Sequence, residues 1–117
     1  MHELSLAGAV IDTVERHAAG RSVTAVYLRV GYLRQVVPAS LHFYFGHVSR
    51  GTVCEGARLE QELVPARLRC GCGREWELDE LDFRCPSCAS ADAVVVSGEE
   101  FMVDSIDVTT EEPACIA

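Results

Sequence analysis

Cys70 and Cys72 make one close pair, Cys85 and Cys88 make a second, and twelve residues separate the pairs. Tetrahedral zinc needs four soft or borderline donors converging on one point, at Zn–S distances of roughly 2.3 Å. Two short cysteine loops facing each other across a small hairpin meet that need. In Cys85-Pro86-Ser87-Cys88 the two-residue spacing lets one tight turn aim both sulfurs at an ion while backbone N–H groups bond to them. Cys70-Gly71-Cys72 is one residue shorter and chelates with fewer inward N–H groups. The quartet reads as a structural zinc site. Rubredoxin-like iron and a redox dithiol are the alternatives for the same residues. Catalytic zinc is disfavoured, because four thiolates leave no open position for water.

The chain start offers a second candidate. His2 follows Met1, and a large residue in second place disfavours removal of the initiator, so the mature chain is expected to begin Met1-His2-Glu3. A free α-amine, the amide nitrogen of residue 2 and an imidazole can form fused chelate rings around one ion. Ni(II) or Cu(II) suits such nitrogen donors. The commoner fate of a histidine here is a solvated terminus, and the adjacent Glu3 adds little alone. His42 and His47 are five apart and do not share a helix face well. His17 reads as a favourable charge near a helix C-terminus. Cys54 and Cys115 are lone thiols, and the acidic residues of 75–82 read as a solvated face. No Ser–His–Asp set, phosphate loop or spaced pair of catalytic acids is present, so nothing argues for an enzyme.

These residues must be held by ordinary elements. Leu4, Ala7, Ile11, Val14 and Ala18 recur at helical spacing, with Gly20 placed to end the helix. Ser22 to Gly31 reads as a strand, and Pro38-Ala39-Ser40 opens a second helix with Leu41, Tyr44, Phe45 and Val48 as its apolar face. Gly51-Thr52 closes it, and Ala57 to Val64 reads as a second strand with one solvated side. Residues 66–97 hold both cysteine pairs, with only Trp76, Leu78, Leu81 and Phe83 as apolar content between them. Phe101 to Val108 reads as a third strand, and its nearest partners precede the cysteines. The fold class is therefore α+β: a three-stranded sheet with two helices, and a small zinc-ribbon-like module inserted before the last strand. Residues 1–65 and 98–110 make the first domain, 66–97 the zinc domain, and 111–117 a tail expected to be disordered.

At 117 residues the chain has room for one average domain, or a small domain plus a metal-held module. An apolar fraction of 49% is ordinary for a globular protein. No apolar run approaches the roughly 20 residues that span a bilayer, and no basic n-region precedes an h-region. The expected home is the cytosol, where close cysteine pairs are more often metal ligands than disulfides. Net charge is −8, and all ten basic residues are arginine. That balance argues against nucleic acid and against anionic membranes. It suits a basic protein partner or a cationic cargo.

Met1-His2-Glu3-Leu4-Ser5-Leu6, the run from Gly51 to Leu59 (GTVCEGARL), and Cys72-Gly73 followed by Cys85-Pro86-Ser87-Cys88 together resemble the HypA family. These are nickel-incorporation metallochaperones of nickel–iron hydrogenase maturation. The likeness covers about residues 1–109. It implies a nickel domain of three strands and two helices that carries a zinc domain. It implies weak, reversible nickel binding through His2 and backbone nitrogens of Met1, His2 and Glu3. It implies structural zinc on Cys70, Cys72, Cys85 and Cys88, work with the maturation GTPase HypB, and delivery to the hydrogenase large subunit. Some relatives also serve urease maturation. The family usually has C-x-x-C in its first pair, and here position 69 is Arg, so Cys70 is the substitute. The competing reading is a zinc-ribbon protein–protein interaction module without nickel cargo.

Overall fold

The computed structural model describes residues 2–79 and 81–109. Met1 and the tail, Cys115 included, lie outside the described residues, so the expectations for them are not addressed by the structure. The chain divides into two compact units. Of the described residues, the first holds 2–28, 36–61 and 102–109, and the second holds 29–35, 62–79 and 81–101.

In the first unit, helix α1 (His2–Ala18) buries Ala7, Val10, Ile11, Val14 and Ala18. Leu4, expected on that face, is instead exposed, and Val10 takes its place in the core. The helix also starts two residues before Leu4, so His2 and Glu3 form part of its first turn. It ends where Ala19 and Gly20 both adopt positive φ (53° and 83°), the left-handed geometry that closes helices. The Arg21 guanidinium then caps the Ala18 carbonyl at 2.9 Å. Helix α2 (Pro38–Val48) packs against α1 and buries Leu41 and Phe45. Pro38 suits its first turn because the missing N–H would have no helical partner there.

Strand β1 (Val23–Gly31) is buried along most of its length, as befits the middle of a sheet. Its neighbours are β2 (Arg58–Val64) and, further along the chain, Phe101–Val108. The turn from α2 to β2 is hydrogen-bonded throughout. Thr52 Oγ1 donates to the Ser49 carbonyl at 2.6 Å and accepts from the Cys54 N–H at 3.0 Å. Cys54 is fully buried, which pushes its thiol pKa up, and the nearby Glu15 charge adds to the rise.

The second unit is built on three short strands. Strand β3 (Arg67–Arg69) lies between β4 (Glu75–Glu77) and β5 (Val94–Ser97), antiparallel to both. Leu68 stands opposite Trp76, and these two join Ala66, Cys70, Leu78 and Cys85 in a small core. Tyr32 and Leu33, in the 3-10 turn Tyr32–Arg34, and Ala93 pack against that core. Leu81 and Phe83, the other apolar residues between the pairs, are exposed. The unit thus adds apolar surface from both sides of the cysteine segment to Trp76 and Leu78 between the pairs.

The last strand, β6 (Phe101–Val108), returns to the sheet at the free side of β1. Within the second unit the approach to β6 is tight. Gly31 N–H donates to the Glu100 carbonyl at 2.6 Å, and Leu33 N–H donates to the Gly98 carbonyl at 2.8 Å. A Cβ on Gly31 would lie 2.1 Å from the Gly98 oxygen, so this crossing admits only glycine.

Candidate metal centres

The cysteine centre is positioned by β3, β4 and two turns. Strand alternation turns Leu68 and Cys70 inward and Arg69 outward, where its guanidinium lies 3.7 Å from Glu75. This is why the donor stands at 70 and not at 69. The hairpin closes when Cys70 N–H donates to the Arg74 carbonyl at 2.8 Å, and Gly73 N–H donates back to the Cys70 carbonyl at 2.9 Å. Gly73 reaches φ +98° there, a conformation that side chains resist. The second pair sits in its own turn: Ala89 N–H donates to the Cys85 carbonyl, and Ser87 N–H points at the Cys85 sulfur at 3.4 Å.

These turns bring the four predicted sulfurs together, all within 4.8 Å of one another. Cys70 Sγ lies 3.5 Å from Cys88 Sγ, and Cys72 Sγ lies 3.7 Å from Cys85 Sγ. Sulfurs at the corners of a zinc tetrahedron are about 3.8 Å apart, so the set fits a zinc-sized ion. Cys70 and Cys85 are buried, whereas Cys72 and Cys88 are exposed. Burial pushes the Cys85 thiol up, but N–H groups of Cys88 and Ser87 and neighbouring thiols bring it down to about 7. For Cys88 the Ser90 N–H favours the thiolate, yet the Cys70 thiol, burial and the other sulfurs push it up to about 12. Four negative sulfurs cannot coexist at this spacing without a cation, and a dication replaces the protons they otherwise share.

The terminal candidate is built differently. His2 is exposed, and its Nδ1 lies 3.8 Å from Glu3 Oε2. Glu3 is mostly covered, because Oε2 accepts the Val37 N–H at 3.0 Å. That bond and the Glu3 N–H hold the carboxyl below its usual range, with His2 adding a smaller pull. Val37 is the N-cap of α2 and supplies no side-chain acceptor. Glu3 of α1 therefore gives α2 the carboxylate that a capping box would supply from within the helix. The sequence reading missed Val37 as a partner, since nothing in local periodicity links residues 34 positions apart.

The remaining singled-out residues do not gather into a third centre among the described residues. His47 stacks edge-on against Phe43 at 4.8 Å, and His17 bonds the Thr13 carbonyl through Nδ1 at 2.9 Å. His42 is exposed. Glu75 pairs with Arg67 and Arg69, and Asp82 with Arg84, as expected of a solvated face.

Comparison with known proteins places this arrangement. Residues 1–108 match the family described as "Hydrogenase/urease nickel incorporation, metallochaperone, hypA". The chain is 43% identical over 109 residues to "Hydrogenase maturation factor HypA" of Geobacter sp. (strain M21), covering 92% of this chain and 99% of that protein. It is 46% identical over 112 residues to the protein of the same name from Streptomyces avermitilis, covering 91% and 86%. Among solved structures, "Solution structure of the Ni metallochaperone HypA from Helicobacter pylori" superposes with a TM-score of 0.67 at 22% identity, covering 93% of this chain and 98% of that one. "Solution structure of HypA protein" gives 0.70 at 23% identity, covering 95% and 98%. These two similarities speak to the fold.

Proposed function

The chain belongs to the HypA family of nickel-incorporation metallochaperones, and from that premise we propose that it carries Ni(II) at its N-terminus and hands it on during hydrogenase maturation. The observation that carries the reading is the placement of His2: exposed, in the first turn of α1. The first N–H groups of a helix have no carbonyl to bond within it, so the backbone nitrogens of His2 and of Glu3, whose N–H meets only its own carboxylate, can turn to a ligand without breaking a helical bond. Met1, His2 and Glu3 form the proposed nickel set. The same helix end carries a partial positive charge, which weakens the hold on a cation. Glu3, fixed against Val37, offsets that charge. Moderate affinity at an accessible terminus suits a carrier that must release its cargo.

In this reading Cys70, Cys72, Cys85 and Cys88 hold a structural zinc, which would cross-link the two turns around the Leu68–Trp76 core. Nickel belongs to residues 1–65 and 98–110, and zinc to 66–97. The partners are the GTPase HypB and the hydrogenase large subunit, in the cytoplasm, with urease maturation as a further destination. The family match disfavours an interaction module without nickel cargo. None of the described helices is long and apolar enough to cross a membrane.

The test is titration of Ni(II) into untagged protein, into His2→Ala, and into protein with one Gly added before Met1. The native chain is expected to bind, and both variants to lose at least about tenfold in affinity. Equal binding by all three would overturn the assignment. Binding should also weaken on acidification, since protons compete for the imidazole and the amine.

A further inference from the structure

The sheet ends at β6, and among the described residues the far edge of that strand has no strand partner. An unpaired edge shows a row of N–H and C=O groups that another extended chain can join. Native edges are commonly blunted by Lys or Pro. Residues 101–108 contain neither, and they carry Asp104 and Asp107 with no basic residue. The two-residue burial rhythm of β6 slips at Asp104–Ser105, where both residues are exposed, and Val103 and Ile106 on either side are half-buried. Beside them α1 leaves a groove of about 210 Å³, lined by Thr13, Val14, His17 and residues 103–106. Its walls are apolar at Val14, Val103 and Ile106. Asp107 accepts a hydrogen bond from Tyr27 at 2.8 Å, while Asp104 has no ion pair or hydrogen bond among the described residues.

We propose that this groove and the adjoining edge of β6 receive an extended basic segment of a partner protein, which adds to β6 as a further strand, sets an apolar side chain against Val103 and Ile106, and places a Lys or Arg on Asp104. Strand addition draws affinity from main-chain hydrogen bonds and selectivity from alternate side chains, and a groove between an edge strand and a helix offers both. Charge selects the occupant. A second copy is poorly matched, since pairing two β6 strands brings two Asp104 and two Asp107 together with no cation on either strand. The chain's own segment 110–117 has the same sign, with Glu111, Glu112 and no basic residue. A cationic segment is also favoured on approach by the net charge of −8. This surface uses none of the residues assigned to nickel or zinc.

The test uses the full, zinc-loaded, isotope-labelled chain and three synthetic probes. One is a capped alternating Lys–Val heptapeptide, one is the same peptide N-methylated at alternate residues, and one is its Glu–Val counterpart. The first is expected to bind, with amide shifts confined to Met102–Val108 and Thr13–His17. The other two are expected to fail. Asp104→Asn should weaken binding about tenfold and Asp104→Lys should abolish it, with nickel affinity unchanged in both. The proposal is overturned if the N-methylated probe binds as well as its parent, which would leave only diffuse charge attraction. Unaltered binding to Asp104→Lys overturns it too, as does concentration-dependent dimerisation of the chain through β6.

Discussion

The two candidate metal centres hold their donors in opposite ways. At the cysteine centre each donor hangs on a closed turn, two of the four are buried, and the sulfurs lie within 4.8 Å of one another. At the terminus the imidazole is exposed, and the nearby order comes from one bond, Glu3 to Val37. A cage of charged sulfurs needs its ion in order to stay assembled, so the ion becomes part of the fold. A terminal imidazole loses nothing by being empty. The contrast teaches that residence time is set by how much protein structure depends on the metal, and less by the number of donors.

Emptying the cage is expected to have the largest effect. Structural zinc in small domains is worth on the order of 10 kcal/mol, far above the stability a core of this size supplies. Chelation, or Cys85→Ser, should therefore unpack Ala66, Leu68 and Trp76. Trp76 is the chain's single tryptophan and is 9% exposed, so its emission reports this unit directly. A red shift on chelation that reverses when zinc returns is the expected result. Unchanged emission would make the cage incidental to the fold.

Gly31→Ala strikes the same unit without touching a donor. Its Cβ would meet the Gly98 oxygen at 2.1 Å and the Glu100 nitrogen at 2.7 Å, all backbone atoms that cannot swing aside. A loss of about 2–4 kcal/mol is expected from urea unfolding followed at Trp76. A loss below about 1 kcal/mol would mean that the crossing relaxes easily.

Much of this was legible beforehand where one signal repeated. The α1 stripe, the β-branched run of β1 and the Cys spacing each recur over enough residues to be read. Strands β3, β4 and β5 escaped because three or four residues hold no periodicity: Arg67-Leu68-Arg69 and Glu75-Trp76-Glu77 become strands only through each other. Leu81 and Phe83 stay outside the core for a related reason. The core of that unit is completed by Tyr32 and Leu33, distant in sequence, so nearby apolar residues are not needed. The first pair's spacing was visible, but its cause, the inward phase that β3 hands on to Cys70 just past its end, needed the strand.

At the terminus, Glu3→Ala should act on nickel and leave the cage alone. It frees the Val37 N–H and removes a carboxylate from the positive end of α1. Nickel affinity is expected to fall about three- to tenfold, while zinc content and Trp76 emission stay put. Glu3→Gln keeps an acceptor for Val37 and should recover part of the loss. An effect of Glu3→Ala on Trp76 emission would break the separation of the two centres.

The smallest effect is a matter of pH. The Glu3 carboxyl is held below its ordinary 4.5, chiefly by the Val37 N–H. A depressed folded value means that the carboxylate's contribution is fully present above the ordinary range and fades only as pH falls through the lowered one. Nickel should leave earlier in an acid titration, because protons compete with the ion for its nitrogen donors. The Val37 amide shift, followed by NMR on metal-free terminus, should hold steady below the pH at which nickel is released and move only at a midpoint under 4.5. If the amide moves at a midpoint at or above 4.5, the Val37 N–H does not hold the Glu3 carboxylate, and Glu3 is not an independent clasp.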